Sequence, residues 1–137
     1  MSGQPLSTDP NPCEWLRFAE EDLKAARKLC GDPDILPNIV GFHAQQAVEK
    51  AIKGLLIHAG AKFPFTHDLT ELFALYCSQG RSVPFDRAAL NELTPYASHR
   101  RYPGYLHQPG VKEQHRLLAL AEEVFTWAKS IITPPSA

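Results

Sequence analysis

The sequence contains little cysteine and no long apolar run, and each shortage excludes a class of protein. Its three cysteines, Cys13, Cys30 and Cys77, are far apart and form no C-x-x-C pair. This pattern indicates neither a disulfide framework nor a zinc site built from thiolates. No run of about 18 apolar residues occurs, and residues 1–10 lack a basic stretch followed by an apolar one. We therefore expect a cytoplasmic protein without a signal peptide or a membrane span.

The sequence also lacks an excess of charge of one sign and the common phosphate-binding motifs. Fourteen Lys and Arg oppose fifteen Asp and Glu, so a basic footprint for nucleic acid has to be local. Neither G-x-G-x-x-G nor G-x-x-x-x-G-K-[ST] occurs, and the six histidines form no H-x-x-x-H pair. We expect no cofactor and no metal ion.

Apolar residues recur at helical spacing along most of the 137-residue sequence. No segment alternates with a period of two, so strands are not indicated. Capping residues, glycines and prolines predict the limits of five helices. The first runs from Asn11-Pro12 to Gly31, the second from about Asn38 to Ala59, and the third from Asp68 to near Gly80. The fourth begins at Asp86 and kinks or restarts at Thr94-Pro95, and the fifth runs from about Val111 to Ile132. The sequence therefore predicts an all-α, five-helix bundle in one domain.

The second predicted helix is apolar over an arc of roughly 200°, which indicates neighbours on more than one side. That arc is made by Ala47, Val40, Ala51, Ala44, Leu55, Val48, Ile52 and Leu56. Four polar side chains follow one line on the remaining arc: His43, Gln46, Lys50 and Lys53. This polar line is either a solvated face or a hydrogen-bonding ridge toward a ligand or partner, and Ile39 and Ile57 on the same line favour the ridge. Gln45 falls inside the apolar arc and needs a carbonyl or side-chain partner.

The stretch S-H-R-R-Y-P-G-Y-L-H, residues 98–107, concentrates cations and aromatic rings in ten positions. Arginines stabilise negative charge on phosphate, histidine can act as a base, and tyrosines can stack on unpaired bases. The candidate ligand-binding residues are His99, Arg100, Arg101, Tyr102 and Tyr105, whereas His107 is a candidate for catalysis. The alternative is that the arginines only interact with the end of a helix. Pro103-Gly104 interrupts any helix between the arginines and His107, which disfavours a preorganised reaction.

Several stretches together resemble the HEPN domain family over about residues 13–132. They are F-H-A-Q-Q-A-V-E-K in the second helix, F-P-F-T-H-D-L before the third, and R-R-Y-P-G. The resemblance implies an up-and-down helical bundle that is usually a homodimer and is often encoded beside a minimal nucleotidyltransferase as a toxin-antitoxin-like pair. Other members are metal-independent endoribonucleases with an Arg, a gap of about four to six residues and a His. Arg100 or Arg101 with His107 satisfies that spacing, but Tyr102 stands where those enzymes usually have a polar residue.

We therefore expect a HEPN-like domain over residues 12–132, with flexible ends at 1–11 and 133–137. The predicted function is binding of nucleotide, RNA or a minimal nucleotidyltransferase partner, by residues 98–107 together with the polar line of the second helix. One alternative is an endoribonuclease that uses Arg100 or Arg101 with His107 as catalytic residues. Another is a structural partner subunit without a ligand.

Overall fold

A computed structural model of the chain describes residues 10–98, 103 and 108–135. In this part of the chain the secondary structure is entirely helical. The elements are α1 (Pro12–Leu29), α2 (Pro37–His58), α3 (Leu69–Ser78), α4 (Arg87–Leu93), a 3-10 helix (Thr94–Ala97) and α5 (Val111–Ile132). The predicted all-α, five-helix fold is confirmed.

Helices α1, α3 and α4 begin where their capping residues predict. The Asn11 side chain accepts a hydrogen bond from the Glu14 N–H, and the Glu14 carboxylate accepts one from the Asn11 N–H, so the capping box is complete. Asp68 and Asp86 accept N–H groups in the first turns of α3 and α4. At Thr94, one residue before Pro95, the α-helix gives way to the 3-10 helix, which is the predicted interruption.

Helix α2 is the centre of the fold, because it packs against α1, α3, α4, the 3-10 helix and α5. All eight residues of its predicted apolar arc are fully buried: Val40, Ala44, Ala47, Val48, Ala51, Ile52, Leu55 and Leu56. The predicted central position of this helix is therefore confirmed.

Two glycines of α2 let other elements approach its backbone closely. A Cβ atom on Gly41 would stand 2.3 Å from a ring carbon of Tyr96, so only glycine admits the buried tyrosine there. A Cβ atom on Gly54 would stand 3.1 Å from the Trp15 Cβ in the first turn of α1. Tyr96 therefore lies beside the N-terminal part of α2, and Trp15 lies beside its C-terminal part.

The described helices include none that combines the length and the hydropathy needed to cross a membrane. All three cysteines are free thiols, as expected from their spacing. The predicted flexible ends lie mostly outside the described residues, which leave out 1–9 and 136–137. Within the described part of those ends, Asn11 is held as the N-cap of α1.

Candidate functional site

The residues that flank the segment 98–107 lie beside the N-terminal half of α2. Tyr96, two residues before it, is buried against Gly41. Gln108, directly after it, accepts a hydrogen bond from the Asn38 N–H through its Oε1 at 3.3 Å. Asn38 and Gly41 are one turn apart, so the residues on both sides of the segment are anchored on the same part of α2.

The predicted ligand-binding side chains of this segment lie outside the described residues. They are His99, Arg100, Arg101, Tyr102 and Tyr105, and the predicted catalytic residue His107 also lies outside the described residues. Their roles stay predictions, and so does the pairing of an arginine with His107 in catalysis.

The polar line of α2 differs from an open, solvated face. His43, Gln46 and Lys50 are half-buried and Lys53 is buried. Each of the four contacts a polar group of the protein itself, and most of these contacts converge on two carboxylates, Asp22 of α1 and Glu49 of α2. The side chains of the polar line are therefore held by contacts within the protein.

Asp22 of α1 binds two side chains of the polar line, His43 and Lys50, and these three residues form the Asp22 group. Its Oδ1 lies 2.9 Å from His43 Nδ1 and its Oδ2 lies 2.5 Å from Lys50 Nζ. An ionised carboxylate can only accept, so the His43 Nδ1 donates and its Nε2 is left for another partner. The Asp22 side chain is 11% exposed, whereas those of His43 and Lys50 are about a quarter exposed. This group therefore stands at the edge of solvent.

Glu49 forms a second group, the Glu49 group, with Gln45, Lys53 and His67, and its side chain is more deeply buried than that of Asp22. Its Oε1 accepts from Gln45 Nε2 at 2.9 Å and from His67 Nδ1 at 2.8 Å, and its Oε2 accepts from Lys53 Nζ at 3.0 Å. The Lys53 side chain is 9% exposed, whereas that of His67 is 54% exposed. Since His67 precedes α3, Glu49 ties the loop between α2 and α3 to the centre of the fold.

The predicted need of Gln45 for a partner is confirmed. Its amide donates to Glu49 and, at 3.3 Å, to the main-chain carbonyl of His67, and its oxygen accepts from Gln46 Nε2 at 2.7 Å. Because these groups satisfy a fully buried amide, they remove the cost of burying it. His67 lies at the turn into α3, and its ring also contacts Glu49.

Sequence reasoning missed both carboxylates as organising residues. Asp22 could have been noticed because it lies on the buried face of α1, among Ala19, Leu23 and Ala26, where an aspartate needs cations. Glu49 and Lys53 are four residues apart with the acid first, the favoured order for an ion pair in a helix. Across the described part of the chain, no group of three or more His, Cys, Asp or Glu could hold a metal ion.

Comparison with known proteins agrees with this architecture. A crystal structure of an archaeal HEPN homologue superposes with a TM-score of 0.67 at 22% identity, covering 91% of this chain and 100% of its own. The crystal structure of TT1696 from Thermus thermophilus superposes with a TM-score of 0.68 at 26% identity, covering 87% of this chain and 96% of its own. A search of curated proteins gives no match.

The extent of the sequence match settles the family. A model of the HEPN domain matches residues 13–131, close to the range over which the stretches F-H-A-Q-Q-A-V-E-K and R-R-Y-P-G carried the resemblance. This range runs from the first turn of α1 to the last turn of α5, and so includes both carboxylate groups and the segment 98–107. The chain therefore belongs to the HEPN domain family, which is associated with nucleotide-related function.

Proposed function

We propose that this HEPN protein is a binding module that engages nucleotide or single-stranded RNA through residues 98–107. One observation carries the proposal: the segment with two adjacent arginines and two tyrosines is flanked by Tyr96 and Gln108, which both contact α2. Anchored ends lower the conformational entropy that ordering the segment on a ligand would cost. Arg100 and Arg101 contact phosphate in this proposal, and the tyrosines stack on bases.

The polar line of α2 has a supporting role in this proposal. Lys53 is buried on Glu49, so the residues left to face a ligand are His43, Gln46 and Lys50. The hydrogen-bonding ends of His43 and Lys50 are directed at Asp22, which holds both side chains in place. Only their remaining N–H groups and lone pairs are available for a ligand.

The proposal includes a homodimer, as is usual in this family. The half-buried face of α2 carries Ile39 and Ile57 beside its polar residues, and Leu36 just before the helix is 65% exposed. An apolar residue so exposed at the end of a central helix is consistent with a contact between two copies. Light scattering is expected to give about twice 15.3 kDa. A monomer at high micromolar concentration would contradict this part of the proposal.

The binding test removes both arginines and measures affinity for a fluorescein-labelled single-stranded RNA by anisotropy over a salt series. Arg100→Ala/Arg101→Ala is expected to weaken binding by about tenfold or more and to flatten the dependence on salt by about one to two in log-log slope. The matched control is Arg81→Ala/Arg87→Ala, which removes two exposed cations elsewhere. The control is expected to bind like the parent. Equal binding by parent, variant and control would overturn the proposal.

Two further measurements separate the alternatives. Incubation of the parent with RNA in a chelator tests cleavage, and cleavage that is lost in His107→Ala would replace the proposal with a metal-independent endoribonuclease. If RNA is not bound, a titration against the purified product of the adjacent gene tests the nucleotidyltransferase partner. Binding to that protein that depends on the two arginines would replace RNA by a protein partner.

A further inference from the structure

A cavity lies at the other end of α2, between the start of α1 and the chain that follows α2. Its lining is Pro10, Trp15, Ile57, Lys62 and Phe63, and its volume is about 350 Å³. Small-molecule sites occupy roughly 300–1,000 Å³, so this cavity is large enough for a small ligand. Ile57 is sixteen residues beyond Gly41, or about 24 Å along the helix, so the cavity is separate from the anchors of residues 98–107.

Two features of the backbone build this cavity. Gly54 lets the first turn of α1 approach α2, with the Pro12 carbonyl oxygen 3.3 Å from where a Cβ would stand, and this approach positions Trp15. Gly60 ends α2 with φ +77°, and the Ala61 N–H then donates to the Leu56 carbonyl. The chain turns back at this point, which sets Lys62 and Phe63 beside the helix end.

The aromatic wall of the cavity is held in a fixed geometry. The rings of Trp15 and Phe63 meet edge to face with centroids 6.0 Å apart. The Lys53 ammonium lies 5.9 Å and 5.4 Å from the two centroids and is itself bound to Glu49. A cation at this distance from aromatic rings stabilises their arrangement. The wall is therefore preorganised by the Glu49 group, without a ligand.

The cavity also has one cation among its lining residues, Lys62. Lys62 is exposed and forms no ion pair with any described residue. An exposed ammonium beside aromatic rings suits a ligand that brings a flat ring and a negative charge.

We propose that this cavity binds a small planar aromatic anion. The flat ring of the ligand packs on Trp15 and Phe63, and its anionic group pairs with Lys62. A nucleoside monophosphate and an aromatic carboxylate share this chemistry. The site does not depend on the binding proposed for residues 98–107, because it lies at the opposite end of α2 from Gly41 and Asn38, which contact the residues flanking that segment.

The test follows the Trp15 indole N–H resonance in ¹⁵N-correlated spectra of the full chain, whose second tryptophan, Trp127, is an internal reference. The probes are adenosine 5′-monophosphate and 1-naphthoate, each compared with an uncharged counterpart, adenosine and 1-naphthalenemethanol. At least one anion is expected to shift the Trp15 signal and leave Trp127 in place, with its uncharged counterpart binding at least about tenfold more weakly. The anion that binds identifies the source of the ligand. The absence of a Trp15 shift with both anions would overturn the proposal.

Two variants keep the test independent of misfolding. Lys62→Ala is expected to weaken binding about fivefold or more, whereas Lys112→Ala, which removes an exposed lysine at the start of α5, is expected to leave it unchanged. Ile57→Phe fills the cavity from a half-buried position and is expected to abolish binding in a folded protein. Equal affinity in Lys62→Ala and Lys112→Ala, or full binding by folded Ile57→Phe, would contradict the site. RNA binding by residues 98–107 would be unaffected by either result.

Discussion

The two carboxylates that bind polar side chains of α2 each have a lysine and a histidine partner, but in different surroundings. Asp22 and Glu49 each accept from one lysine ammonium on one oxygen and one histidine Nδ1 on the other. Asp22 reaches α2 from α1, and its lysine is 26% exposed. Glu49 belongs to α2 itself, and its lysine is 9% exposed. A lysine–carboxylate ion pair is therefore partly exposed to solvent in the Asp22 group and buried in the Glu49 group.

This difference predicts which group the fold depends on. A cation near the surface that loses its carboxylate can turn toward water, whereas a buried one cannot. The Glu49 group also supports more of the structure, since it satisfies Gln45, holds the loop at His67 and fixes Lys53 beneath the aromatic wall of the cavity. Substitutions at the two carboxylates should therefore differ in size.

The largest effect is expected for Glu49→Ala. It leaves the buried Lys53 ammonium without a counter-ion and removes an acceptor from Gln45, so the free energy of unfolding is expected to fall by about 3–5 kcal/mol. Urea denaturation followed by circular dichroism measures this change.

The control for Glu49→Ala removes the stranded charge as well. Glu49→Ala/Lys53→Met replaces the ammonium with an apolar side chain of similar length and is expected to recover a large part of the lost stability. If the double variant is as unstable as Glu49→Ala, the loss does not come from an uncompensated buried cation.

A smaller effect is expected for Asp22→Ala. His43 and Lys50 lose their acceptor, but both side chains reach solvent, so the expected loss is about 1–2 kcal/mol in the same denaturation experiment. The matched control is Glu21→Ala, which breaks an exposed ion pair with Lys24 and is expected to cost below about 0.5 kcal/mol. A loss for Asp22→Ala equal to that for Glu49→Ala would mean that burial does not distinguish the two groups.

The helices could be predicted from the sequence because their signals are local. The apolar spacing that predicted Val111 to Ile132 gives the observed limits of α5, and the capping box at Asn11 and Glu14 is present. The eight buried residues of α2 follow from periodicity alone, since a helix with an apolar arc of roughly 200° must be surrounded. Gln45 was identified as needing a partner by the same reasoning.

The two carboxylate groups could not be predicted in the same way, because they depend on how separate helices meet. Asp22 finds His43 and Lys50 only when α1 packs on α2, and Glu49 finds His67 only when the loop before α3 turns back. The cavity depends likewise on the close approach that Gly54 allows. Arg100, Arg101 and His107, the residues the sequence singled out for chemistry, lie outside the described residues, so their roles stay predictions.

The smallest effect is expected when a histidine is removed instead of a carboxylate. In His67→Ala, Glu49 keeps Lys53 and Gln45, and in His43→Ala, Asp22 keeps Lys50, so no buried charge is stranded. Each variant loses one hydrogen bond to a carboxylate, and solvent reaches both sites. The expected loss of stability is about 0.5–1.5 kcal/mol for each, measured by urea denaturation.

His67→Asn provides the matched control, because an asparagine amide can donate to the carboxylate in place of Nδ1. It is expected to recover part of the stability lost in His67→Ala. A loss for His67→Ala as large as that for Glu49→Ala would show that the imidazole, and not the buried Lys53, is what Glu49 chiefly holds in place. The loop before α3 would then depend on His67, although the ring of this residue is 54% exposed.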